Sequence, residues 1–130
     1  MLGRVSLASM FVLAMAAPAL ADANSCYEPI APAALNGSTA TEAQLKTNLA
    51  EVKGFIKDSD DYQTCLLSDL AAQKREAKKG KDPKPLDPAI EFDVKSRIDQ
   101  NQKLKEQVGN EYNTAVHAYQ EAHPAPAAAH

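Results

Sequence analysis

The chain has 130 residues, with 14 basic against 17 acidic side chains, two cysteines, no tryptophan and a formal net charge of −3. That length suffices for one small domain, and the mildly acidic balance argues against a nucleic-acid partner, which needs a basic surface. The hydrophobic fraction of 45% overstates the core, because all three methionines fall in the first 15 residues and alanine supplies much of the rest.

Met1 to Arg4 forms a short basic n-region, Val5 to Leu20 is apolar, and Ala19-Leu20-Ala21 fits an A-x-A cleavage site. These features predict a secretory signal peptide over 1–21, cleaved after Ala21. A retained anchor is the competing reading, but the run is shorter than the ~20 residues a spanning helix needs, and Pro18 interrupts it. Cys26 follows Ala23-Asn24-Ser25, which lacks the lipid-attachment pattern, and no twin-arginine signal is present. The general secretion route is therefore expected. Cleavage leaves 109 residues carrying 13 basic and 17 acidic side chains, a net charge near −4. Few large apolar side chains remain, so a narrow helical packing seam is expected rather than a thick core.

Residues 22–40 read as an extended, proline-rich arm that contains Cys26, and the second cysteine is Cys65. In an oxidising compartment two cysteines allow one intramolecular pairing, so a Cys26–Cys65 disulfide is predicted. The reach is sufficient. If a helix begins near Thr41, Cys65 lies ~36 Å along its axis, and residues 26–40 can extend to ~50 Å. The arm can then run back along the helix, with Tyr27, Ile30 and Leu35 covering apolar surface. Closing the loop contributes ~3–4 kcal/mol in the chain-entropy model. An intermolecular bond and a redox-active pair are the alternatives, although no C-x-x-C pattern supports redox work.

Thr41-Glu42-Ala43-Gln44 resembles a capping box, with Thr41 as N-cap. Leu45, Leu49, Val52, Ile56, Leu66 and Leu70 then recur at helical spacing, with Phe55, Tyr62 and Leu67 widening the stripe. A first helix is expected over about 42–79, stopped by Gly80 and the prolines of GKDPKPLDP. Asp87-Pro88 is a good N-cap and first-turn pair, so a second helix is expected over about 88–121. The tail 122–130, small and proline-rich, is expected to be disordered.

A short loop between long helices favours antiparallel neighbours. Pairing about the loop sets Gln63 near Lys103, Leu66 near Gln100 and Val52 near Thr114. Both stripes follow a coiled-coil rhythm, and both turn polar midway, at Ser59 and Gln63 in the first helix and at Asn101 and Lys105 in the second. This polar seam layer reads as a wet, register-setting interruption, offset by the disulfide. A small polar site or a partner-binding groove is the sharper alternative. Because two helices cannot enclose both stripes, Phe55, Leu67, Phe92 and Tyr112 form a possible partner surface.

Asp58, Asp60 and Asp61 suggest a cation site, but the calcium-loop pattern fails for want of its glycine and irregular backbone. A solvated acidic face, with Lys53 and Lys57 nearby, is the simpler reading. His117, His123 and His130 lack the i,i+4 spacing of helical zinc ligands, so no metal site and no cofactor is assigned. Lys74, Arg75, Lys78, Lys79, Lys81 and Lys84 make a basic tip. They complement the helix dipole, and could also meet lipid headgroups or an acidic protein. No G-x-S-x-G, phosphate loop or histidine placed to activate a nucleophile is found, and a narrow hairpin offers no deep pocket for a pair of its many acids, so a non-enzymatic protein with no catalytic residues is expected.

Cys26 with Pro29 and Pro32, Thr41-Glu42-Ala43-Gln44-Leu45, Val52-Lys53-Gly54-Phe55-Ile56 and Asp60-Asp61-Tyr62-Gln63-Thr64-Cys65-Leu66 together resemble a group of short exported proteins of alphaproteobacteria. The resemblance covers most of the chain beyond residue 21 and implies a periplasmic, disulfide-containing helical protein, with no activity to carry over. Helical-hairpin periplasmic chaperones, which carry L-T-x-x-Q signatures, are a second comparison. Here Ala40 stands where the leucine belongs, so that likeness is one of shape. The expected protein is all-α: an antiparallel two-helix hairpin over 41–120 with an N-terminal arm stapled to the first helix by one disulfide. Its expected role is a scaffold or chaperone-like interaction protein that binds a periplasmic protein or itself. A metal-buffering role through Asp58, Asp60, Asp61 and the histidines is the alternative.

Overall fold

The computed structural model describes residues 26–124. The expected signal peptide, residues 22–25 of the arm and the tail beyond residue 124 lie outside the described residues. Within them the chain forms two α-helices, α1 (Glu42–Ala77) and α2 (Pro88–Ala122), with no strand.

Local chemistry sets the helix ends. Thr41 Oγ1 accepts from the Gln44 backbone N–H, and the Gln44 side chain accepts from the Thr41 backbone N–H, which satisfies two otherwise unpaired donors. At the other end Lys78 is the C-cap, its N–H donating to the Arg75 carbonyl while the Lys79 N–H donates to that of Glu76. Gly80 follows at φ +100°, a conformation open to glycine because it has no Cβ. Thus α1 ends two residues short of the expected position 79, since the bonds from Lys78 and Lys79 reach back three residues rather than four before the glycine. Asp87 caps α2 by accepting from the Ala89 N–H, and Pro88 occupies its first turn. The expected end near 121 extends one residue, to Ala122.

Three buried clusters join the helices. Leu45 packs with Ala115, with Tyr112, Val116 and Tyr119 at the edge. Val52 and Phe55 pack with Val108. Tyr62, Leu66 and Leu70 pack with Val94. Each cluster also takes residues from the segment before α1: Leu35 and Ala40 in the first, Ala31 in the second and Cys26 in the third. Cys26 is bonded to Cys65, with Cα atoms 5.7 Å apart. Closing the 39-residue separation stabilises the fold by about 4 kcal/mol in the chain-entropy model.

The third set of contacts changes how α1 is buried. Its buried positions are Leu45, Asn48, Val52, Phe55, Ser59, Tyr62, Leu66 and Leu70. Leu49, Ile56 and Gln63, expected at the centre of the seam, are only half-buried. The centre of the stripe is rotated because α1 is covered on two sides, by α2 and by the segment around Ala31 and Leu35. In α2, which has one long neighbour, the buried positions are Val94, Asn101, Val108 and Ala115, every seventh residue of the expected rhythm.

Two further expectations are corrected by burial. Phe55 is not available as partner surface, because it packs against Val108 and Ala31 in the interior. Tyr27 and Ile30 do not cover apolar surface but stand 88% and 93% exposed. The inward positions of the extended segment go to Cys26, Ala31 and Leu35. The inward residues do not alternate in step, so this stretch is not a regular strand, and Tyr27 and Ile30 face outward between them.

At Gly37 the segment touches α2 through its backbone. A Cβ built there would lie 1.8 Å from the carbonyl oxygen of Ala115. Gly37→Ala is therefore expected to push the segment off α2 and lower the unfolding free energy by about 1–3 kcal/mol, read from urea denaturation followed by circular dichroism. An unchanged midpoint would mean that the two backbones are not in contact.

Candidate functional site

The polar residues singled out in the two helices come together midway along them. Ser59 and Asn101 are fully buried. Asn101 Nδ2 donates to Ser59 Oγ at 3.2 Å, and Gln63 Nε2 donates to Asn101 Oδ1 at 2.8 Å. Among the described residues no buried side-chain nitrogen or oxygen lacks a partner. The layer joins a hydroxyl and two amides, so it needs no buried charge, and complete pairing avoids the cost of a desolvated polar atom.

Lys105, the fourth member, lies at the rim. Its side chain is 15% exposed and its ammonium group pairs with Asp60. The aliphatic stem can cover the seam while the charge reaches the surface. Asn101 thus faces Gln63 and Ser59, where pairing about the loop would have put Lys103 opposite Gln63. Local side-chain pairing, rather than loop symmetry, decides this register.

On the loop side of the layer lies a second constellation. Tyr62 is buried and its hydroxyl accepts from Arg97 Nε at 3.0 Å, while the Arg97 guanidinium sits 5.5 Å from the ring centroid. The Cys26–Cys65 disulfide follows, and Asp69 Oδ2 lies 3.3 Å from Cys26 Sγ. Cys26, Leu66, Asp69, Gln73, Val94 and Arg97 are among the residues that line a cavity of about 400 Å³. A larger groove of about 650 Å³ runs between Leu35–Gly37 and the outer side of α2, reaching Thr114 and Ala118.

The remaining candidates are dispersed. Asp61 pairs with Lys57 at 2.5 Å and Asp60 with Lys105, whereas Asp58 is exposed. His117 is exposed, and His123 stacks on Tyr119 with ring centroids 4.3 Å apart. His130 lies outside the described residues. Among the described residues, Cys26, Cys65 and Asp69 are the one set of three metal-capable side chains close enough to share an ion. Of the proposed partner surface, Tyr112 is half-buried, while Leu67 and Phe92 are 54% and 75% exposed.

In the basic tip Lys74 pairs with Glu91 at 2.9 Å and Lys79 with Glu76 at 2.5 Å, and Arg75, Lys78, Lys81 and Lys84 are exposed. Lys95 also pairs with Glu91, at 2.9 Å. Hydrogen bonds from Lys74 and then Lys95, with the charge attraction they bring, hold the Glu91 carboxyl down at about 2. Among the described residues no helix is long and apolar enough to cross a membrane. Comparison with protein-family models, curated proteins and solved structures gives no match.

Sequence reasoning did not single out Asp69, Arg97, Asn48 or Gly37. Asp69 was accessible, since it follows Cys65 by four residues and so shares its helix face. Asn48 Nδ2 donates to the Ala33 carbonyl at 3.4 Å, a contact that depends on where the segment before α1 runs. No local signal marks Gly37, whose role depends on where α2 passes.

Asn101→Ala is expected to cost about 1–3 kcal/mol, because it leaves the Ser59 and Gln63 groups without their shared partner. The Ser59→Ala, Asn101→Ala double variant should lose less than the sum of the single losses in urea unfolding. Strict additivity would show that the two side chains do not interact.

Glu91 binds protons less readily in the folded chain than in the unfolded one, so its stabilisation is fully present above the ordinary carboxylate value of 4.5 and is lost as pH falls from there towards about 2. The unfolding midpoint of Glu91→Gln should therefore lie below that of the unsubstituted chain above pH 5 and converge with it near pH 2. A gap that stayed constant across that range would remove the two lysine contacts as its cause.

Proposed function

We propose that the protein is a non-enzymatic periplasmic interaction protein, a scaffold or chaperone-like helical hairpin. It is exported by the general secretion route, cleaved after Ala21 and oxidised at Cys26 and Cys65. The signal-like segment supports export, and a disulfide persists in an oxidising compartment. An antiparallel arrangement is supported by the reversed order of contacts, with Leu45 meeting Ala115, Val52 and Phe55 meeting Val108, and Leu66 meeting Val94. The segment before α1 acts as the arm fastened to that helix. Its resemblance to short exported alphaproteobacterial proteins points the same way.

One observation carries the interaction reading: Tyr27, Ile30, Leu67 and Phe92 are large apolar side chains left exposed. All four lie within four residues of Cys26, Leu66 or Val94, members of the cluster that contains the disulfide. Tyr27, Leu67 and Phe92 thus flank members of the disulfide cluster, and Ile30 precedes Ala31 of the neighbouring one, whereas the cluster around Leu45 and Ala115 has no such neighbour. A protein with so few large apolar residues gains nothing for its own core from leaving these outside. The first occupant to test is a second copy of the chain, because the same surface then covers itself twice.

Size-exclusion chromatography with light scattering decides between the outcomes. The oxidised protein is expected to associate, and Leu67→Ser with Phe92→Ser is expected to return it to a monomer with unchanged helix content. A strictly monomeric protein that bound neither a hydrophobic dye nor an unfolded client would overturn the reading.

A further inference from the structure

The disulfide has a neighbour whose position the fold does not require. Asp69 lies one helical turn beyond Cys65, and its Oδ2 is 3.3 Å from Cys26 Sγ. A sulfur in a disulfide carries no proton, so the carboxylate receives no hydrogen bond from it. None of the ion pairs among the described residues involves Asp69. A half-buried carboxylate is therefore held against two sulfurs from which, in the oxidised state, it gains nothing.

We propose that when the disulfide is reduced, Cys26, Cys65 and Asp69 form a binding site for a thiophilic divalent cation of the zinc class. One ligand atom from each residue lies within 4.8 Å of the others, and the cysteine Cα atoms are 5.7 Å apart. Tetrahedral zinc with bonds of about 2.3 Å to sulfur sets its sulfur ligands about 3.7 Å apart. Once the S–S bond is broken, side-chain rotation reaches that spacing without moving α1. Two thiolates select zinc-like or softer ions over calcium or magnesium, and the carboxylate supplies a third, harder ligand. The cavity of about 400 Å³ beside Cys26 and Asp69 gives water access to the fourth position, with Gln73 on its wall.

A dithiol reductant delivers two electrons and two protons, leaves as its cyclic disulfide and yields two protein thiols. The cation then displaces both thiol protons to solvent as it binds. Metal and disulfide use the same two sulfurs, so each state excludes the other. The site rests on Cys26, Cys65 and Asp69 alone and is independent of the interaction reading.

The test uses the purified protein, reduced with a thiol-free phosphine and titrated anaerobically with cobalt as a spectroscopic stand-in for zinc. A sulfur-to-cobalt charge-transfer band saturating at one equivalent is expected from the reduced protein and not from the oxidised one. Zinc should bleach it. Asp69→Asn should weaken cobalt binding by about tenfold or more, with helix content followed by circular dichroism in the same samples. No band in the reduced protein would overturn the proposal, whether or not the helices persist. So would an affinity unchanged in Asp69→Asn, since two thiolates of any loosened chain would then account for the signal.

Discussion

Two helices in contact share one line of side chains, and the flanks of that line stay wet unless a third element covers them. Here that element is a stretch without regular structure, and its packing is the constraint on which the rest depends. Cys26, Ala31 and Leu35 enter three successive clusters between α1 and α2. Such a stretch has no helical or sheet hydrogen bonds of its own to hold it, and Leu35 is its one large inward side chain beside Cys26 and Ala31. Its connection to α1 is instead a covalent bond at Cys65 and a hydrogen bond from Asn48. The disulfide offsets chain entropy that so thin a core could not offset alone.

The polar layer follows from the same economy of apolar surface. A continuous apolar seam between long helices tolerates sliding by whole turns, because one leucine can replace another in a hole. Asn101, fully buried between Ser59 and Gln63, cannot slide without leaving its donors and acceptors unpaired. The layer stabilises less than apolar residues of the same volume would, but it specifies which residues face each other. Val94, Val108 and Ala115 lie at multiples of seven residues from Asn101, so one polar position sets the phase of the whole buried face of α2.

Chemistry that acts locally was legible in the residue string. The capping box at Thr41, the Asp87-Pro88 start, the break around Gly80 and the single possible cysteine pairing all depend on neighbours in sequence or on simple counting. The two polar interruptions matched because both helices keep one rhythm through them. What escaped depended on the third element. Periodicity written for two partners places the seam on Leu49, Ile56 and Gln63, whereas burial from two sides selects Asn48, Phe55 and Tyr62. Phe55 therefore changed from a surface residue to a core residue. The outward turn of Tyr27 and Ile30 could not be read either, since extended backbone without a partner strand has no pattern of its own to fix its phase.

The same arrangement determines what loss of the disulfide would release. Cys26 is tied at the end of the segment farthest from α1 in sequence, whereas the other end is closed by the turn over Asn36–Ala40. There Ser38 N–H and Oγ donate to Asn36 Oδ1, and Gly37 lies against the Ala115 backbone. Leu45 with Ala115, and Val52 and Phe55 with Val108, lie outside the cluster that contains the disulfide. Breaking the bond thus frees the residues nearest Cys26 first, up to the Asn48 contact at Ala33, and loosens Ala31 from the second cluster, whereas Leu35 and Ala40 stay packed in the first. Reduction therefore acts first on the stretch that carries Tyr27 and Ile30, beside the cluster flanked by Leu67 and Phe92.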